Sequence, residues 1–179
     1  MKSQAKKKAP KGAAAADAVS LLMADHRKVE KLFKQAEKAS GDEKEAVVKQ
    51  ICTELIIHTT LEEEIFYPAC REQGVEEDVM DEAQVEHDGA KMLIADLLNQ
   101  SADSDCYDAK VTVLTEYIKH HVQEEEKPRS GIFAQARGKG LDLEAVGEQL
   151  QERKESLMAD PDDLPAPTPK SFDVSAVGA

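Results

Sequence analysis

Two segments of the sequence each pair a histidine with a glutamate four residues later. A lone histidine precedes each pair, 32 residues earlier in the first case and 34 in the second. The residues concerned are His26, His58 and Glu62 in the first half, and His87, His121 and Glu125 in the second. Residues four apart lie on one face of a helix, so each pair presents an imidazole and a carboxylate together. Because buried histidine and glutamate side chains are costly unless they are paired or bind a metal, this pattern predicts a metal centre.

The elements that must position these side chains are four helical stripes. In each stripe, apolar residues recur at alternating steps of three and four, which is typical of a helix face that packs in a bundle. The stripes are Val19, Leu22, His26, Val29, Phe33 and Ala36; Ile51, Leu55, His58, Glu62 and Ile65; Met80, Ala83, His87, Ala90, Ile94 and Leu97; and Val111, Leu114, Ile118, His121 and Glu125. Only the His and Glu positions interrupt the apolar character, so these side chains are predicted to face the bundle axis.

Four long helices with short links predict an all-α fold, an antiparallel up-down-up-down four-helix bundle with a short extra C-terminal helix. The helices are expected over about residues 15–39, 42–67, 76–100 and 105–126, with Pro68 marking a kink or an end of the second. A weaker fifth helix over about residues 142–158 is expected to pack on the outside of the bundle.

The predicted domain organisation has four parts. Residues 1–14 form a flexible basic arm, and residues 15–135 form the bundle domain. Residues 136–159 hold the accessory helix, and the Pro-rich residues 160–179 form a disordered tail.

Composition excludes several classes of function. The formal net charge of -13 argues against nucleic-acid binding by the folded part, and no apolar run approaches the length of a membrane span. Cys52, Cys70 and Cys106 show no metal-binding spacing and are expected to be free thiols in the cytoplasm.

The donor set decides between metals. Zinc prefers four ligands, fewer than the candidates here, and calcium and magnesium prefer oxygen. Iron and manganese accept mixed imidazole and carboxylate sets with open positions. Two irons sharing Glu62 and Glu125 use all the candidates, and an oxo or hydroxo bridge could offset the charge that so few anionic ligands leave on the metals.

Four short segments carry the histidines and acids in a recognisable order: Asp25-His26, residues 58–68, Glu86-His87 and residues 120–126. They resemble the hemerythrin-like proteins of the HHE cation-binding family, over roughly residues 18–135. The resemblance implies a four-helix bundle with a non-haem di-iron centre. It implies as ligands, with both glutamates bridging, His26, His58, Glu62, His87, His121 and Glu125.

The chain departs from this family pattern in two places. Oxygen-carrying hemerythrins have a further histidine where this chain has Lys91, so the resemblance is closer to the regulatory, stress-related and iron-handling branch. Relatives usually continue the last helix into a Phe-Pro pair, whereas here residues 127–132 intervene before Phe133. Pro128 is expected to stop the helix, which leaves Glu125 near a frayed end.

Other polar residues have alternative interpretations. His120 with Glu124 is a second possible pair, but the helix face that carries His121 is more apolar, which favours His121 with Glu125. Tyr117 is either a hydrogen-bond donor to the centre or an interface residue, and Cys70 is expected to be inert. Asp25 and Glu86 are expected to be surface acids. Four other glutamates are expected on a solvated face, although some of them could orient imidazoles: Glu63, Glu64, Glu124 and Glu126.

Two functions remain open from the sequence. The first is a binding module for oxygen or nitric oxide, or a sensor of iron and redox state. The second is a di-iron stress enzyme that handles peroxide or nitric oxide, or an iron donor in iron–sulfur repair, although residues 1–20 lack the cysteine often found in repair proteins. A third hypothesis is that the bundle is purely structural and that its buried histidines bind no metal. The expected small ligand is dioxygen, nitric oxide or peroxide. No association with a membrane is expected, and the protein partner is unknown.

Overall fold

The computed structural model describes residues 17–172, so the predicted basic arm lies outside the described part of the chain. Within this range all regular structure is helical. The helices are α1 (Ala18–Ala36), α2 (Gly41–Leu61), α3 (Tyr67–Glu72), α4 (Glu77–Leu98), α5 (Tyr107–Glu125), α6 (Ile132–Lys139) and α7 (Leu143–Ala159). A π-helical turn, Glu62–Phe66, joins α2 to α3, and a 3₁₀ turn, Pro161–Asp163, follows α7. None of the described helices is long and apolar enough to cross a membrane.

The predicted four-helix bundle is formed by α1, α2, α4 and α5. Helix α1 packs on α2, α4 packs on α5, and α2 packs on α4. The predicted stripes supply two apolar clusters of buried side chains, one at each end of the bundle. One cluster includes Leu22, Leu61, Met80 and Phe133, and the other includes Val29, Leu55, Ile94 and Leu114. The first three stripes pass from one cluster to the other through their histidines, and the fourth runs from the second cluster to His121 and Glu125, so the polar side chains form a layer between the clusters.

The second helix does not end at Pro68 but continues to Glu72 through the π turn. In this turn the Tyr67 backbone N–H donates to the Glu62 carbonyl, five residues earlier. The π geometry takes up one extra residue just before the proline, which has no N–H and would crowd the preceding turn of a regular helix. The phase therefore shifts by one residue: Phe66 is fully buried, whereas Ile65, expected in the core, is half-buried.

Helix α5 ends at Glu125, as the nearby Pro128 predicted, but its end is packed. The chain turns back so tightly that a Cβ on Gly131 would clash with the Glu125 carbonyl oxygen. Helix α6, which the sequence analysis did not predict, then places Phe133 against His26, with ring centroids 5.8 Å apart and planes 12° apart. Glu125 is 2% exposed, so the expectation of an insecure, frayed position was wrong.

Helix α7 packs outside the bundle on α1, α2 and the π turn, as expected, through Val146, Leu150 and Leu157. Residues 164–171, the C-terminal strap, then lie against the bundle rather than being disordered over this length. The backbone N–H groups of Lys170 and Ser171 donate to Asp88 Oδ2 at 2.8 and 2.5 Å. Asp88 is fully buried, so its carboxylate holds the strap in a way that proline content alone did not predict.

Candidate metal centre

The polar layer brings together the candidate residues of the sequence analysis. Helix α1 supplies His26, α2 supplies His58, the π turn supplies Glu62, α4 supplies His87, and α5 supplies His121 and Glu125. Each is at most 5% exposed. The neighbouring His120 has a side chain that is 60% exposed, so His121 is the one of the two that lies in the buried layer.

The donor atoms form two groups that share Glu62. The first group is His26, His58, Glu62 and Glu125, and the second is Glu62, His87 and His121. Glu62 Oε2 lies 3.1 Å from His58 Nε2 and 3.3 Å from His87 Nε2. Nitrogen and oxygen ligands bind metals at about 2 Å, so donors about 3 Å apart are suitably spaced for neighbours around one ion.

Glu125 also lies near an imidazole of each group, but at longer distances than Glu62. Its Oε2 atom is 3.4 Å from His26 Nε2 and 3.8 Å from His121 Nε2. Within each group the imidazoles also approach closely, with Nε2–Nε2 distances of 3.1 Å for His26 and His58 and 3.2 Å for His87 and His121.

The carboxylates give an independent test of whether cations fit. Both oxygens of Glu62 and Oε2 of Glu125 are buried without a hydrogen-bond partner. A buried carboxylate oxygen that lacks a partner costs stability, and a bound cation would remove that cost. The donor set therefore fits metal ions better than a closed hydrogen-bond network.

Carboxylates on the outer side of the imidazoles fix three of the four rings. The distance from Nδ1 to the nearest carboxylate oxygen is 2.8 Å for His26 with Glu126, 3.1 Å for His87 with Glu63 and 2.8 Å for His121 with Glu86. An Nδ1–H group that donates to a carboxylate leaves Nε2 as the inward lone pair for a metal.

The fourth ring, His58, is held less directly. Its Nδ1 atom is 3.9 Å from Asp25 Oδ2, beyond hydrogen-bond range. The expectation that Asp25 and Glu86 lie on solvated faces was wrong, because both face imidazoles of neighbouring helices. Glu64 and Glu124 do lie on the exposed surface, with side chains 44% and 41% exposed.

Lys91, where oxygen carriers have a further histidine, is buried behind His87. Its Nζ atom is 2.6 Å from Glu63 Oε1 and 3.1 Å from Asp88 Oδ1. Lys170 of the C-terminal strap adds a second ammonium, 2.7 Å from Glu63 Oε2. The carboxylate that orients His87 is therefore neutralised from two directions.

Tyr67 is a residue of the centre that sequence reasoning missed. Its hydroxyl donates to Glu125 Oε1 at 3.3 Å and lies 3.4 Å from His87 Nε2. Tyr67 is five residues after Glu62, a spacing that reaches the centre only because of the π turn. Tyr117, the tyrosine considered instead, is 46% exposed.

Burial and neighbouring charges shift the pKa values of the groups in the centre. Burial and the neighbouring charge of Glu62 raise the pKa of Glu125 well above its usual value. Burial acts against the charged form of Glu62 as well, but His58 and His87 hold its pKa well below the usual value. Burial lowers the pKa of His121 to about 4, which keeps this imidazole neutral and able to bind a metal.

The two buried thiols are inert, as expected for Cys70. Burial raises the pKa of both Cys52 and Cys70 to about 12. Neither is a thiolate at neutral pH, so neither has the nucleophilicity of a reactive cysteine.

A helical bundle with a buried, imidazole-rich pair of donor groups defines a hemerythrin-like class of protein. Residues 17–128, more than half of the chain, match the family model described as the hemerythrin HHE cation binding domain, and the chain belongs to this family. A search of curated proteins gives no match.

Among solved structures, the chain is similar to a hemerythrin HHE cation binding domain-containing protein from Mycobacterium kansasii. The TM-score is 0.66 at 19% sequence identity, over 83% of this chain and 93% of the other. At this identity the likeness supports the fold. The chain is thus a cation-binding domain whose His and Glu clusters are able to hold a metal.

Proposed function

We propose that the protein holds two non-haem irons and uses them to bind or sense oxygen, nitric oxide or the iron and redox state of the cell. The observation that carries the proposal is the pair of donor groups joined by the unpartnered carboxylate of Glu62. His26, His58 and Glu125 would hold one iron, and His87 and His121 the other, with Glu62 shared and Glu125 reaching toward the second. Iron bound there would supply one-electron redox chemistry and open positions for a small ligand.

The surrounding residues give that ligand an apolar wall and a proton donor. Phe66 and Phe133 are buried beside the layer on one side. Burial and the charge of Glu125 raise the pKa of Tyr67 well above its usual value, so its hydroxyl keeps a proton that it can donate. Glu63, Glu86 and Glu126 keep the imidazoles in place while a ligand enters or leaves. A cytoplasmic location fits the three free cysteines.

The alternative function is a stress enzyme that reduces peroxide or processes nitric oxide. The position of Tyr67 favours it, because a hydroxyl beside the centre could deliver a proton to a reduced ligand. Peroxide turnover that falls in Tyr67→Phe, while iron content stays the same, would support this alternative over reversible binding.

The test of the proposal is the iron content per chain, with the visible spectrum of the ferrous protein taken before and after exposure to air. We expect two irons and a new absorption band that reverses when oxygen is removed. Glu62→Ala should lose the iron, whereas the matched control Glu64→Ala, whose exposed carboxylate pairs with Arg153 at 2.8 Å, should keep it. Equal iron in both variants, or zinc alone at one per chain, would refute the proposal.

A further inference from the structure

A second group of possible metal donors lies outside the centre, on the surface shared by α4 and α5. It consists of Glu82, Glu86 and His120, whose donor atoms all lie within 4.8 Å of one another. Glu82 and His120 are exposed, and Glu86 is half-buried. Mixed carboxylate and imidazole sets of this kind accept divalent transition metals.

Glu86 connects this outer group to the centre. Its Oε1 atom is 3.1 Å from His120 Nε2, and its Oε2 atom is 2.8 Å from His121 Nδ1. One carboxylate therefore touches an exposed histidine on one side and a buried histidine of the centre on the other.

A cavity of about 180 Å³ runs beside this carboxylate. Glu82 and Glu86 line it, and so do His121 and Glu125 of the centre, both at least 95% buried. Glu125 carries an oxygen without a hydrogen-bond partner. The cavity is therefore lined by residues of both the exposed donor group and the buried centre.

The charge of the cavity favours cations. Its acidic lining residues include Glu76, Glu82, Glu86 and Glu124, and among the lining residues Lys127 carries a positive charge. Lys127 pairs with Glu124 at 2.9 Å, so its positive charge offsets the negative charge of Glu124 and leaves the other acids of the cavity unpaired by it. A concave surface lined by one sign of charge raises the local concentration of the opposite ion and its rate of association.

We propose that Glu82, Glu86 and His120 form an entry site for divalent metal ions, which passes them along this cavity to the inner centre. The inference rests on the proposed function, since it needs a centre that binds metal. In the reverse direction the same path would release iron.

The first experiment titrates Mn²⁺ into the protein as purified, with its centre loaded, and follows free Mn²⁺ by its electron paramagnetic resonance signal. We expect one further weak Mn²⁺ site, lost in the double variant Glu82→Gln with His120→Ala. The control Glu116→Gln removes an exposed acid one helical turn before His120 and should keep the site. Equal Mn²⁺ binding in the double variant and the control would overturn the proposal.

The second experiment measures ferrous uptake by the metal-stripped full chain in stopped flow. We expect the double variant to load roughly tenfold more slowly, the scale of electrostatic steering, and to reach the same final iron content and spectrum. An unchanged rate would overturn the entry route. A wild-type chain that takes up no iron at all would refute the proposed function instead, while the Mn²⁺ titration would still report on the outer site.

Discussion

His87 and His121 lie side by side in the polar layer, and each donates from Nδ1 to a carboxylate, but the surroundings of those carboxylates differ. Glu63, behind His87, meets Lys91 and Lys170, and it lines a cavity of about 320 Å³ beneath the C-terminal strap. Glu86, behind His121, lines an acidic cavity and meets the exposed His120. The same orienting contact is thus charge-balanced by two lysines on one side, and surrounded by acids on the other. The charge-balanced side suits holding the centre in place, and the acidic side suits the passage of cations.

The largest expected difference between the sides comes from removing each carboxylate. Glu63→Ala leaves Lys91 buried with Asp88 as its remaining acid, and should lower the free energy of unfolding by about 3 kcal/mol. Glu86→Ala removes the contact to the exposed His120 and leaves Nδ1 of the buried His121 without its acceptor, but it strands no buried charge and should cost only about 1 kcal/mol. Denaturant unfolding of the metal-free proteins measures both, and equal losses would break the comparison.

Both of these variants should also weaken iron binding about 10- to 100-fold, because each leaves one imidazole unheld. Competition with a chelator measures this affinity. A loss confined to Glu63→Ala would show that Glu86 does not orient His121.

A smaller effect is expected from releasing the strap. Asp88→Asn weakens the bonds to the Lys170 and Ser171 backbone and to Lys91, and should cost about 2 kcal/mol, the scale of hydrogen bonds to a charged group. Limited proteolysis should then cut within residues 164–171. Asp81→Asn, on the exposed side of α4 where the carboxylate pairs with Arg71 at 3.1 Å, is the matched control and should change stability by less than about 0.5 kcal/mol. Cleavage at the same rate in both variants would show that Asp88 does not hold the strap against the bundle.

The smallest expected effect is that of Tyr67→Phe, which touches both sides through Glu125 and His87. One neutral donor is lost, so stability should fall by about 1 kcal/mol and iron content should not change. The visible band of the oxidised centre should shift, because Glu125 loses the hydrogen bond at Oε1. An unshifted band would mean that the hydroxyl does not act on the centre.

The sequence predicted the bundle and the convergence of its buried histidines because both depend on periodicity within single helices. It predicted poorly what depends on contacts between helices. Glu126 reaches His26 across 100 residues of sequence, and Asp25 and Glu86 point about 100° from the histidine beside them, toward a neighbouring helix that only the packing identifies. Phe66 rather than Ile65 is buried, and Tyr67 reaches the centre, because the π turn adds one residue to the helix. A stripe drawn for a regular α-helix does not include such an extra residue.

The π turn also has a consequence for how such a site is inherited. Deletion of a single codon between Glu63 and Ile65 would remove the extra residue and restore a regular helix, in which Tyr67 would follow Glu62 by four residues and stay on the same face. His58 and Glu62 precede the deletion and would keep their spacing. A lineage could therefore gain or lose the π turn in one step without moving the tyrosine off the centre or altering any of the six residues that form the donor groups.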